Sequence, residues 1–330
     1  MKQLGLFSDA APRPLPRFEA DVRLAARLPE WILPGPSTWT FPGWEGIVYP
    51  TGVTKEELLE RGLGWAARFP LFRTVGIDRS YYAPVEEAEL ARYARDLPPG
   101  YPCVMKAWSA ITTLADPRTG APNPRFFDAS ALEQYVLRPV ARVFRDHAGP
   151  IVFQLAPIHA RDLPHPDAFA ERLDRFLGQL PTALPYAVEL RNRELLTASY
   201  LDVLARHGVA HVLNLWERMP TVGRQLAVPG VLTAPFVVCR LSIPPGQRYE
   251  DQKASFAPFN RIVKADEGVR ADMAQVARAC VERRKKLFFV VNNKVEGFEP
   301  AHRPRAGRGH DRPLCSPRPA AVFALRAMPL

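Results

Sequence analysis

What this 330-residue chain lacks sets the first limits on it. Its four cysteines, Cys103, Cys239, Cys280 and Cys315, form no CxxC pair, so neither a zinc ribbon nor a disulfide framework is indicated. Two of them sit inside apolar runs and read as buried thiols; a catalytic thiol at Cys103 is the sharper alternative. None of the seven histidines closes a strand-like run, although His159 follows one closely, and this argues against a transition-metal centre. Apolar runs such as "LFFVV" and "PFVVC" fall far short of the ~20 residues a membrane helix needs. The opening "MKQLGLFSDAAPRPLPRF" has no apolar core segment, so a cytoplasmic location is the expectation. No GxGxxG follows the first apolar run, which counts against an open dinucleotide-binding sheet.

Acidic residues are also in deficit, 34 against 44 basic ones, for a formal charge of +10. That balance suggests nucleic acid, yet the basic residues are scattered. The one dense cluster, "ERRKK" at 282–286, closes a helical pattern, where cations favour the negative end of the dipole. Nucleic acid is therefore the weaker partner reading.

What is present is an alternation. Eight short runs rich in β-branched and aromatic residues read as strands: 31–37, 73–78, 103–107, 151–155, 186–190, 210–214, 236–241 and 287–292. They lack strict alternation, as strands buried on both faces do. Helical patterns lie between most of them, among them "TKEELLERGLGWAARF", opened by a Thr54/Glu57 capping box, and "SALEQYVLRPVARVFRDH". The stretch 214–235 reads as loop, and 242–266 as a long excursion. This order predicts a single-domain (β/α)₈ TIM-type barrel over 30–297. Residues 1–29 are expected to form an N-terminal arm with a short helix, and 298–330 an aberrant arginine- and proline-rich tail.

In such a barrel the chemistry belongs at the C-terminal strand ends. Reading those positions gives Asp78, Lys106, Gln154, Glu189, Arg191, Asn214, Arg240, Asn292 and Asn293, with Trp39 and Tyr82 in adjoining loops. Buried polar groups are costly unless they are paired or face a ligand. Two readings stay open: a polar pocket, or a self-satisfied network such as Glu189 with Lys106 or Arg240. As a pocket, three cations suit an anionic ligand, with arginine as a bidentate clamp. Glu189 or Asp78 would be the general acid or base, with Lys106 stabilising negative charge. Gln154, Arg191, Asn214, Arg240, Asn292 and Asn293 would hold the substrate, and Trp39 and Tyr82 would be stacking walls or merely part of a core cap. Asp78 and Glu189 offer oxygens for a magnesium ion with its waters; no other cofactor is indicated. Gln154 and Arg240 stand where barrel glycosidases of the common type place carboxylates. The functional expectation is a hydrolase or lyase for an anionic, ring-bearing small molecule. A non-catalytic protein binding nucleotides or single-stranded nucleic acid is the alternative.

The ordered series "STWTFPGWEGIVYP", "VGIDRSYYAPV", "VMKAW", "IVFQLAP", "YAVELRN" and "FVVNNKVEG" resembles the domain-of-unknown-function-72 proteins, also called YecE-like, from about Trp31 to Gly297. The resemblance implies a TIM-type barrel and no settled activity. It maps family patterns onto Trp39, Trp44, Tyr82, Lys106, Gln154, Glu189, Arg191, Arg240, Asn292 and Asn293. Gly76, Asp78 and Arg79 depart from the family form, as does "RLSIPPG" after the seventh strand.

The resemblance also bears on the ending. Family members continue with a closing helix where this chain has "GFEPAHRPRAGRG". Removing one G from a back-translated Gly297 codon yields "GSSPLTVRALAEAM", a capped amphipathic helix. We therefore expect a one-base change of frame at or just after Gly297, leaving the eighth helix missing. A genuine disordered basic tail is the other reading. Sequencing the locus decides between them, since an intact frame sinks the first. The tail from Phe298 carries six arginines against Glu299 and Asp311, so without it the charge balance is 38 minus 32, or +6.

Overall fold

The eight runs become strands: β1 Ile32–Pro36, β2 Val75–Ile77, β3 Cys103–Lys106, β4 Ala148–Gln154, β5 Tyr186–Glu189, β6 Ala210–Leu215, β7 Phe236–Leu241 and β8 Lys286–Val291. The computed structural model of the chain describes residues 14–116, 118–242 and 266–292. All strand pairs are parallel, in the order β1-β8-β7-β6-β5-β4-β3-β2, and helices follow most strands. The result is one α/β domain with a nearly closed, TIM-like barrel.

Two hydrophobic cores follow from the pleat, because successive strand residues face opposite sides. An inner core fills the lumen with Leu33, Val104, Val152, Ala187, Val212, Val238 and Val290. A larger core joins the outer faces of the strands to the helices, with Val75, Phe153, Val188, Leu213 and Phe289 among its members. Counting in twos from the inner set towards the C-terminal ends reaches Lys106, Gln154, Glu189, Asn214, Arg240 and Asn292. Strand parity thus assigns these polar side chains to the top layer of the lumen.

The barrel has one seam, and proline explains it. Ser37 donates its N–H to Val291 O on β8 at 3.0 Å, so Pro34 and Pro36 turn their nitrogens the other way, towards β2. Neither has a proton to give. β1 and β2 share no register; Pro34 O instead accepts the N–H of Arg73 at 2.8 Å. The two backbones come very close here. A Cβ added to Gly35 would lie 1.8 Å from Thr74 O, and one added to Gly76 would lie 2.9 Å from Ser37.

Arg73 also ties the preceding helix, Glu19–Arg27, to the barrel. Its guanidinium donates to the carbonyls of Ala25, Leu28 and Pro29 at 2.8, 3.1 and 2.6 Å. These include carbonyls that a helix end leaves without intrahelical partners.

Elsewhere the elements match their sequence signals, with three differences. The capping box at Thr54 and Glu57 opens the helix Lys55–Ala67 as expected. The pattern at 130–147 forms a helix only to Val143 and contains a π turn, Glu133–Leu137, one residue short of Pro139. A proline inside a helix lacks the N–H for the ladder and crowds the preceding turn, and widening that turn accommodates it. The stretch expected as loop between β6 and β7 contains a helix, Val222–Leu226, capped by the Thr221 side chain. The tail after Gly297, with the expected change of frame and the expected loss of the eighth helix, and most of the excursion after β7 lie outside the described residues. Among the described residues no helix is long and apolar enough to cross a membrane.

Candidate functional site

The strand ends bring five charged side chains into one connected cluster. Glu189, at the end of β5, is 1% exposed and lies between two guanidiniums. Arg191 Nη2 stands 2.6 Å from Glu189 Oε1, and Arg240 Nη1, from β7, donates to Oε2. Arg240 Nη2 also donates to both oxygens of Asp78, at 3.0 and 3.2 Å. Lys106 Nζ, from β3, completes the chain 3.0 Å from Asp78 Oδ2. Gln154 Oε1 accepts from Arg191 at 3.0 Å and from Arg240 at 3.2 Å. Three cations and two carboxylates leave the cluster with a net charge of +1.

The cluster is graded from the inside out. Glu189, Arg191 and Arg240 are buried, whereas the Lys106 and Asp78 side chains are 12% and 24% exposed and form its solvent edge. Burial alone would push the Glu189 carboxyl up, but Arg191, Arg240 and Lys106 together hold it below the usual carboxylate range. For Lys106, burial and the nearby Arg240 guanidinium outweigh Asp78 and bring the ammonium down to about 8. Its proton is thus exchangeable near neutral pH.

Not every polar atom is satisfied. Arg191 Nη1 and Asn214 Oδ1 are buried and have no hydrogen-bond partner among the described residues. Such orphan groups are costly to leave unmet, so each calls for a water or a ligand atom. The Arg191 guanidinium also lies 3.8 Å over the Trp216 ring, which fixes its plane. Asn214 is fixed in turn, donating to Leu190 O at 2.7 Å, while its backbone is clamped by Gln225.

The remaining residues named from sequence are dispersed. Trp39 is buried edge-on against Tyr93, with ring centroids 5.3 Å apart, and lies beyond Asp78 rather than over the cations. Tyr82 is 79% exposed. Asn292 directly follows β8, its backbone N–H donated to Leu241 O at 2.8 Å, and Asn293 lies outside the described residues. Trp44 and its neighbour Tyr49 belong to the hydrophobic core. A catalytic role for Cys103 does not survive: the thiol is fully buried in β3 and burial pushes its pKa far up. His211 is equally internal, held by Tyr200 and Gln225 and pushed down to about 4 by burial.

Three further contributors, Ser80, Trp216 and Gln225, stand outside the residues read as strand ends, and Tyr81 joins them. Ser80 joins the ends of β2 and β3, donating to Lys106 O at 2.7 Å and accepting from Lys106 N at 3.1 Å. Tyr81 places its ring 5.3 Å from Lys106 Nζ. Trp216 and Gln225 fall in the stretch read as loop. Tyr81 adjoins Tyr82 in the loop after β2, and Trp216 stands two positions after Asn214, where strand parity offers a signal for it.

As oxygen ligands for magnesium, Asp78 and Glu189 are poorly placed: both are already neutralised, and a divalent ion would add to a surplus of positive charge. No group of three or more His, Cys, Asp or Glu side chains among the described residues is arranged to hold a metal.

Fold and cluster together define a TIM-like barrel protein with a charged polar layer at its C-terminal mouth. The chain belongs to the family described as "Protein of unknown function DUF72", whose model matches residues 33–305. It is similar to the crystal structure of a DUF72 family protein from Enterococcus faecalis V583, with 16% identity, a TM-score of 0.54, and 80% of this chain and 89% of that one covered. It is comparably similar to one from Thermotoga maritima MSB8, with 16% identity, a TM-score of 0.53, and 81% and 94% covered. At this identity the likeness speaks for the fold. No curated protein matches the chain.

Proposed function

We propose that the barrel mouth binds a small, anionic, ring-bearing molecule and that the protein acts on it as a hydrolase or lyase. The observation that carries this is the cationic surplus, with one guanidinium nitrogen of Arg191 buried and unmet. A purely structural network has no use for either. In this reading Arg191 and Arg240 form the anion clamp. Glu189, held ionised by two guanidiniums, is a weak base and serves to fix that clamp. Proton transfer falls to the solvent edge, where Lys106 titrates near neutral pH beside Asp78.

The test is a thermal-shift screen of the full chain against phosphorylated sugars, nucleotides and short oligonucleotides. A stabilising ligand is expected to lose its effect in Lys106→Gln and Arg191→Lys, the second being a variant that keeps the buried charge. If no ligand stabilises the folded protein, the pocket reading falls. Oligonucleotide binding with a steep salt dependence and no need of Lys106 would favour the nucleic-acid alternative.

The pH profile gives a second readout of the same site. The protonated form of Lys106 attracts the anion, and with a pKa of about 8 its charged fraction falls from about nine-tenths at pH 7 to about one-tenth at pH 9. Affinity is expected to fall roughly tenfold across that window. Lys106→Arg should flatten the profile, and a wild-type affinity that holds constant to pH 9 would remove Lys106 from the site.

A further inference from the structure

Beside Asp78 lies a cleft of about 440 Å³ lined by the loop after β1 and the helices Lys55–Ala67 and Glu87–Asp96, and not by Arg240. Its volume is within the ~300–1,000 Å³ usual for small-molecule pockets. Asp78 lines this cleft and also belongs to the charged cluster, so the two spaces share one carboxylate as a wall. A larger surface groove of about 670 Å³ runs along Ser130, Gln134 and Gln179 on the helical layer and touches none of these charges.

The chemistry of the cleft differs from that of the mouth. Asp78 and Glu89 balance Arg79 and Arg92, so it offers no net attraction to an anion. It offers instead single donors and acceptors left over from internal pairs. Glu89 Oε1 takes the Arg79 guanidinium and, at 2.7 Å, the Tyr93 hydroxyl, while its Oε2 is left without a partner among the described residues. Arg79 spends Nη1 on Glu89 and Tyr93 and keeps its Nη2 group. The hydroxyls of Thr38 and Thr40 line the same space and bond to no described residue. Trp39 supplies the apolar wall, only 5% exposed, so it offers no broad face for stacking a base.

We infer that this cleft is a subsite for a neutral polyhydroxylated ring, a sugar moiety whose phosphate or carboxylate is taken by the cations of the mouth. A hydroxyl group both donates and accepts, which is what Glu89 Oε2, the Arg79 Nη2 group and the two threonines offer together. This inference rests on the proposed anion site and adds the substrate class to it.

The experiment is isothermal titration of the full chain with inorganic phosphate, a panel of hexose and pentose phosphates, and nucleoside monophosphates. At least one sugar phosphate is expected to bind about tenfold or more tightly than inorganic phosphate. Leu59, 55% exposed on the rim, is replaced by tryptophan to fill the cleft without disturbing the core. Leu59→Trp should abolish the gain from the sugar, and Glu89→Gln should reduce it, with inorganic phosphate bound as before. If the sugar phosphates bind no better than inorganic phosphate, or keep their gain in Leu59→Trp, the cleft inference is overturned while the mouth stands. Preference for nucleoside monophosphates, lost in Leu59→Trp, would overturn the sugar assignment. If no probe binds the wild type, both readings fall.

Discussion

Glu189→Gln is expected to lower the unfolding free energy by about 3–5 kcal/mol, as removing one partner of a buried ion pair does. The substitution nearly preserves volume and leaves Arg191 and Arg240, both under 6% exposed, facing a neutral amide. Two desolvated guanidiniums then keep Asp78 as the one carboxylate bonded to either of them, with the amide oxygens of Gln154 and of the new side chain as neutral acceptors. Urea denaturation checks this: the midpoint should drop with the m-value unchanged. The sign of the pH dependence provides a control. The Glu189 carboxyl titrates below its unfolded value, so its contribution is complete at neutral pH and is lost as pH falls through the folded value. The glutamine variant should lack that acid-side loss. A cost below about 1 kcal/mol would mean that the arginines do not depend on Glu189, and the anchoring role assigned to it would go.

Gly35→Ala is the second large effect, expected at about 3 kcal/mol or more because overpacking here involves backbone rather than a mobile side chain. Its Cβ would sit 1.8 Å from Thr74 O, inside any contact distance, so the seam between β1 and β2 must open. Gly76→Ala, at 2.9 Å from Ser37, should cost less. Gly100→Ala provides a comparison at a different kind of glycine, one with φ of +70° and open space around it, where only backbone strain of about 1 kcal/mol is expected. Melting temperatures of the three variants give the order directly. If Gly35→Ala melts with the wild type, the seam is loose and the close approach does not constrain it.

The charged cluster was legible to different depths. The strand-end positions of Lys106, Gln154, Glu189 and Arg240 could be read because apolar runs with turn residues after them mark where strands stop. Parity then placed their side chains in the lumen. Their pairing could be read only in part: Glu189 does meet Arg240, but a further partner, Arg191, comes from two positions along its own chain, and Lys106 pairs across strands with Asp78 instead. Such contacts depend on the stagger between strands, and a periodic pattern within each strand does not encode that offset. Trp39 shows the same limit. Loop aromatics announce burial but not direction, and this one turned away from the cations towards Tyr93.

The alternation of strands and helices, the buried state of both sheet faces and the polar character of the strand ends are written in the order of residues alone. These are local properties, set by periodicity, capping and the cost of burying polar groups. The order of residues also holds the seam, since prolines at 34 and 36 cannot pair on the β2 side, although that signal becomes readable only once β8 is known to occupy the other side. Which charges meet, that Lys106 and Asp78 form the exposed edge, and that a neutral cleft adjoins them through a shared carboxylate emerge when the barrel closes. Those outcomes depend on distances between residues far apart in the chain, and electrostatic and hydrogen-bond energies change steeply over those distances.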